Sequence, residues 1–126
     1  MRFEFLTPLV TKHLRPGWAM VTQPLVVYSE RLGGTHVVPA GFEFDWDSVP
    51  RIPGVHALLK GRAEKAACVH DHLSRDQVGP RGAITRAVAD KVMLDAMKAE
   101  GVSWRHRWMI YAGVRAGGWP AWRRHQ

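Results

Sequence analysis

The stretch DSVPRIPG, residues 47–54, separates two halves of the chain that cannot share one kind of secondary structure. Pro50 and Pro53 each lack a backbone N–H and have a fixed φ, so neither a sheet ladder nor a helix can run through them. Before this break the chain reads as strand. WAMVTQPLVVYSE (18–30) and THVVPAGFEFDW (35–46) are rich in β-branched and aromatic residues, and the RLGG between them reads as a tight hairpin turn. Gly33 and Gly34 are the residues expected to supply its positive φ. Pro24 places the first run at a sheet edge or a bulge. Shorter strands are expected at Phe3–Leu6 and Leu9–Leu14.

After the break the period changes. Residues 47–61 read as a proline-rich loop, and the chain turns helical from about Ala63 to Arg75. DQVGPRGA ends that helix. A second is expected to start at an N-cap Thr85 and stop at Gly101 as its C′ residue. Ser103 then caps a third that runs to about Arg115. No internal repeat or low-complexity segment interrupts this order. Sheet first and helices after is an α+β pattern: one domain over 1–126, with a small antiparallel sheet from about 1–46 packed against about three helices in the half at 63–118.

Composition narrows the class of protein. No apolar run approaches the roughly 18 to 20 residues needed to span a bilayer. MRFEFLTPLV has no long apolar segment, so it is not expected to act as a secretory signal, and the protein is expected to be synthesised in a cytoplasm. The single Cys68 has no disulfide partner in the chain and reads as a small buried hydrophobe. Lys and Arg number 18 against 11 Asp and Glu, for a net charge of +7. Much of the excess falls after residue 101, where Arg105, Arg107, Arg115, Arg123 and Arg124 face no carboxylate in the sequence. Such a tail suits an anionic neighbour: nucleic acid, a membrane surface or an acidic partner.

Two polar residues interrupt apolar helix faces. His70 shares an angular position with Ala66 and Leu73, and Asp90 falls on the stripe Ala87, Asp90, Leu94 and Met97. A carboxylate moved into a low-dielectric interior costs several kcal/mol or more unless it is paired or bound to metal. On successive helices the two point to one shared polar cluster. The proline-locked turn holding Asp45 and Ser48 is a third element able to present side chains to it.

Three segments in this order carry a resemblance: VPAGFEFDWDSVPR, then AACVHDHLSR, then AVADKVMLDAMKAEGVSWRHRWMIYAGVRAGG. Together they resemble the phage and prophage family named domain of unknown function 1353, over roughly residues 20–118. The resemblance implies a phage-encoded protein. Position by position it places the family's acidic turn residue at Asp45, its turn serine at Ser48, its helical pair at His70 and Asp71, and its later helical acid at Asp90. The chain departs from the pattern at Phe44, Asp47, His72 and Ser74.

Asp45, His70, Asp71 and Asp90 form an adequate ligand set for a divalent metal, zinc or manganese, with a position left for water. A metal so held would lower the pKa of its water towards 7 and generate a hydrolytic nucleophile. His70, Asp71 and Ser48 are the candidate catalytic residues. A metal-free Ser48–His70–Asp triad has the right residue types but lacks a GxSxG elbow. The adjacent His and Asp are similar to those of the HD phosphohydrolases, which are all-helical, unlike this sheet-first chain. The alternative is architectural: His70 donates to Asp90 or Asp45 and ties helices to the sheet without catalysis.

Trp104, Trp108 and Tyr111 recur on one side of the third helix among arginines. They read either as a core face with arginines outside or as an interfacial cationic helix that docks on anionic lipid or a virion subunit. No motif supports sequence-specific nucleic-acid binding. Two functions follow. One is a metal-dependent hydrolase acting on the bacterial cell envelope, on peptidoglycan, with the cell wall or an anionic envelope surface as partner. The other is a non-catalytic virion tail, baseplate or assembly component bound to other phage structural proteins, its His/Asp cluster structural. The expected location is the host cytoplasm on synthesis, then the virion or the envelope.

Overall fold

The computed structural model describes residues 1–16, 18–45 and 63–117. Strands come first: β1 (Phe3–Phe5), β2 (Thr11–Arg15), β3 (Trp18–Val21), β4 (Leu25–Ser29), β5 (Gly34–Val38) and β6 (Glu43–Asp45). Then follow α1 (Glu64–Asp76), a hairpin of β7 (Val78–Gly79) and β8 (Gly82–Ala83), α2 (Arg86–Ala99) and α3 (Trp104–Gly117). The α+β order expected from the sequence is the order observed.

The strands divide between two antiparallel sheets rather than forming one. The first has the order β1-β4-β5 and the second β2-β3-β6. Each long extended run is split where proline or glycine stops it. Thr22–Pro24 ends β3 and sends β4 to the other sheet, and Pro39–Gly41 does the same between β5 and β6. Backbone bonds stitch the second junction back: Gly41 N–H donates to Val21 O at 2.6 Å, and Val21 N–H to Phe42 O at 2.8 Å.

Alternation sets what faces inward. In β4 Leu25, Val27 and Ser29 are buried, and in β5 His36 and Val38 are. His36 stands directly across from Val27, so its imidazole shares the core side of that sheet. Of the two turn glycines only Gly33 has positive φ, at 82°, while Gly34 begins β5. Arg31 in the same turn reaches α2, its Nε 2.8 Å from Asp95 Oδ2 and its Nη2 3.3 Å from Oδ1. That two-point pairing raises the Arg31 pKa and fastens the hairpin to the helical layer.

The helices follow their end signals. Thr85 Oγ1 accepts from Val88 N at 3.2 Å, as an N-cap should. At the other end of α2, Gly101 has φ 85°, Gly101 N–H donates to Lys98 O and Val102 N–H to Met97 O, a Schellman motif. The inner face of α2 is Ala89, Asp90, Met93, Ala96 and Met97, with Ala87 exposed, so the buried stripe is rotated from the expected one and still contains Asp90. α1 buries Ala66, Cys68, Val69 and Leu73 against it. Burial pushes the Cys68 thiol pKa up, in keeping with an inert core residue.

α1 has no cap of its own, because Ala63 at its N-cap carries no hydrogen-bonding side chain. Glu100, at the end of α2, fills the role: its carboxylate accepts from Ala66 N at 2.7 Å and Lys65 N at 3.2 Å. Burial raises the Glu100 pKa even though these amides favour the charged form. Glu100→Ala is therefore expected to destabilise the fold by about 1 kcal/mol in urea unfolding. Glu100→Gln, which keeps an acceptor and removes a charge that burial opposes, should lose less than half of that.

Candidate functional site

Three helices converge on one carboxylate. Asp90 is 1% exposed, and its Oδ1 lies 2.7 Å from His70 Nε2 on α1. Its Oδ2 accepts from Arg115 Nη1 on α3 at 2.9 Å, and Arg86 Nε, one turn earlier on α2, stands 3.7 Å away. Burial alone would push this carboxyl pKa up. The His70 bond outweighs it, together with Arg115 and Arg86, so Asp90 titrates below the usual carboxylate range and stays ionised. Arg86 also donates through Nη2 to Val114 O at 3.1 Å and to Arg115 O. A guanidinium on the last carbonyls of a helix meets the negative end of its dipole.

The predicted residues separate. His70 and Asp90 meet as expected. Asp71 is one position further round α1, where its Oδ2 pairs with Arg75 Nη2 at 3.1 Å. The backbone of Asp45 closes β6 opposite Trp18, but its side chain, and Ser48 with the turn around it, lie outside the described residues. Among the described residues no group of three or more His, Cys, Asp or Glu is placed to hold a metal ion. The carboxylate with the strongest claim as a ligand is instead shared between an imidazole and two arginines.

Arg115 needs a correction: grouped by sequence with arginines that face no carboxylate, it is bonded to Asp90 across 25 residues of chain. Only the packing of α3 on α2 brings them together, and no local spacing signals it.

A second polar cluster was not foreseen. His36 Nε2 on β5 lies 2.8 Å from His72 Nδ1 on α1, with ring centroids 4.9 Å apart. Phe42 meets the His72 ring edge-on at 4.8 Å, and Arg75 stacks over Phe42 while donating to Glu43 O. Burial lowers the His36 pKa to about 4, with His72 adding to the effect and Asp76 opposing it. His72 is likewise lowered, by burial first and by Arg75, against Asp76. The signal for His36 was there to read: in THVV it has the same strand parity as the core residue Val38.

α3 turns the other way from a core reading of its aromatics. Ile110 and Val114 face inward, whereas Trp104 is 62% and Trp108 52% exposed. Trp108 packs edge-on against Tyr111 at 5.5 Å, and Arg105 lies 5.4 Å over the Trp104 ring. Among the described residues no helix is long and apolar enough to cross a membrane.

The His36–His72 pair generates a pH prediction. Above about pH 6.5 both folded and unfolded imidazoles are neutral, so the pair contributes nothing to pH dependence. Below it, unfolded His36 takes up a proton that folded His36 resists until about pH 4, so stability should fall as pH drops through that window. The loss expected from urea midpoints is about 1 to 3 kcal/mol, and His36→Phe should flatten it.

The sequence matches the family described as "Protein of unknown function (DUF1353)" over residues 19–114, well over half of the chain. Comparison with curated proteins and with solved structures finds no match. The match spans β3 to the inner face of α3, and so takes in the His36–His72 pair and His70, Arg86 and Asp90 of the other cluster, stopping one residue short of Arg115. The chain belongs to the DUF1353 family.

Proposed function

We propose that this chain is a phage-encoded, non-catalytic component of a virion tail, baseplate or assembly intermediate, docking through the outer face of α3 onto an acidic protein surface. The viral setting follows from the motif resemblance. The observation that carries the docking reading is the exposure of Trp104, Trp108 and Met109 on one helix, beside Arg105. Large apolar side chains clustered on a surface mark an interaction site, and Trp with Arg is the composition of interface anchors. The net charge of +7 favours an acidic partner. In this reading the Asp90 network is architectural, holding α3 so that this face stays outward.

The envelope hydrolase is the second reading, and one observation favours it. His70 is 17% exposed at its side chain and oriented by a buried carboxylate, as a general base would be. Its zinc or manganese would need Asp45 or Asp71 to join Asp90, whose oxygens already serve His70 and Arg115.

One pair of variants divides the two. His70→Gln keeps a hydrogen bond to Asp90 but cannot shuttle protons near neutral pH. The docking reading expects this variant to be folded and fully competent for phage growth. It expects Trp104→Ala/Trp108→Ala to be folded, with incorporation into virions reduced tenfold or more. A folded His70→Gln protein that loses a wild-type peptidoglycan-release activity, with the tryptophan variant unaffected, would overturn the docking reading in favour of the hydrolase.

A further inference from the structure

His36 and His72 come from different layers of the fold, and each turns one ring nitrogen onto the other at 2.8 Å. A buried and a partly buried imidazole need not meet this way, since a carbonyl or hydroxyl would satisfy either one. We propose that His36 Nε2 and His72 Nδ1 are the protein ligands of one divalent transition-metal ion of the zinc, nickel and copper class.

Four features support the assignment. Neutral imidazole is the metal-binding form, and the 2.8 Å contact between two ring nitrogens requires one of them to carry a free lone pair. Two nitrogens on a tetrahedral ion at the usual bond length lie ~3.3 Å apart, so the rings need to open by only about half an ångström. Phe42 holds the His72 ring edge-on, which limits its rotation and presents Nδ1 towards β5. Asp76, one turn after His72, raises the basicity of both imidazoles and so adds negative potential. Arg75 opposes it, but its guanidinium is engaged with Asp71, Glu43 O and the Phe42 ring.

The protons balance without release. In the metal-free pair one ring donates its N–H to the other. On binding, that proton moves to the donor ring's other nitrogen, and each imidazole stays neutral with one lone pair on the ion. The remaining positions are open to water, because His72 is only partly buried. This site is separate from the His70–Asp90 network. Two positions apart on α1, His70 and His72 point about 200° apart around the helix.

The test is calorimetric titration of the full chain with zinc chloride and with nickel chloride in a non-chelating buffer, with circular dichroism to establish folding. One ion per chain is expected. Binding should weaken at least tenfold in His36→Phe and in His72→Phe, and stay unchanged in His13→Phe on the exposed strand β2. No binding at millimolar metal, or full binding in both Phe variants, overturns the proposal. Loss of binding in His70→Gln with retention in both Phe variants also overturns it, by moving the ion to the other cluster. Should a Phe variant fail to fold, paramagnetic broadening by Co²⁺ in the unaltered protein decides the matter: the His36 and His72 ring signals must broaden first.

Discussion

The Asp90 carboxylate is the point on which the helical half depends. It is buried, yet it stays ionised because an imidazole from α1 and guanidinium groups from α2 and α3 surround it. Removing water from a carboxylate costs several kcal/mol, and only partners of good geometry offset that. Each partner sits on a different helix, so the three helices can approach only in the arrangement that satisfies the charge. Apolar faces built from Ala, Val and Met would tolerate small rotations and slides. A carboxylate with two hydrogen-bonding partners and a third cation beside it would not, and this is how a polar group in a core gives one packing an advantage over its neighbours.

The same division of labour recurs at the edges of the helical layer. Glu100 of α2 caps the start of α1, and Arg86 of α2 binds the last carbonyls of α3. The central helix thus supplies the missing end groups of both neighbours, as well as the hub between them. Arg31 and Asp95 connect that helix to the first sheet. Helices whose termini are satisfied by a neighbour's side chain have little independent stability, so the layer should form as a unit rather than helix by helix.

How far this could be read from the sequence depends on whether each signal is local. His70 and Asp90 were legible because a polar residue on an apolar helical stripe is conspicuous, and both proved to be partners. Thr85 and Gly101 were legible because capping chemistry is written within a few residues of its effect. Arg115 was not, since one arginine among five in a basic tail carries no mark of its distant carboxylate. The split into two sheets was equally hidden: Pro24 and Pro39 announce a break, but where the next strand pairs is a non-local choice. Trp104 and Trp108 show the limit of periodicity. It groups them with each other, but α3 carries a competing apolar pair in Ile110 and Val114, and nothing in the spacing says which of the two enters the core.

That competition is settled energetically. Rolling α3 to bury the tryptophans would gain roughly 2 to 3 kcal/mol for each ring. The roll would expose Ile110 and Val114, losing about 1.5 to 3 kcal/mol for each, so the apolar terms nearly cancel. It would also pull the partly exposed Arg115 from Asp90 and cost the buried carboxylate a charged hydrogen bond, at about 1 to 3 kcal/mol. The ionic term decides. An exposed aromatic face on α3 is therefore a consequence of the hub beneath it. The docking face proposed for α3 is thus one that the hub, rather than any apolar preference, keeps outward.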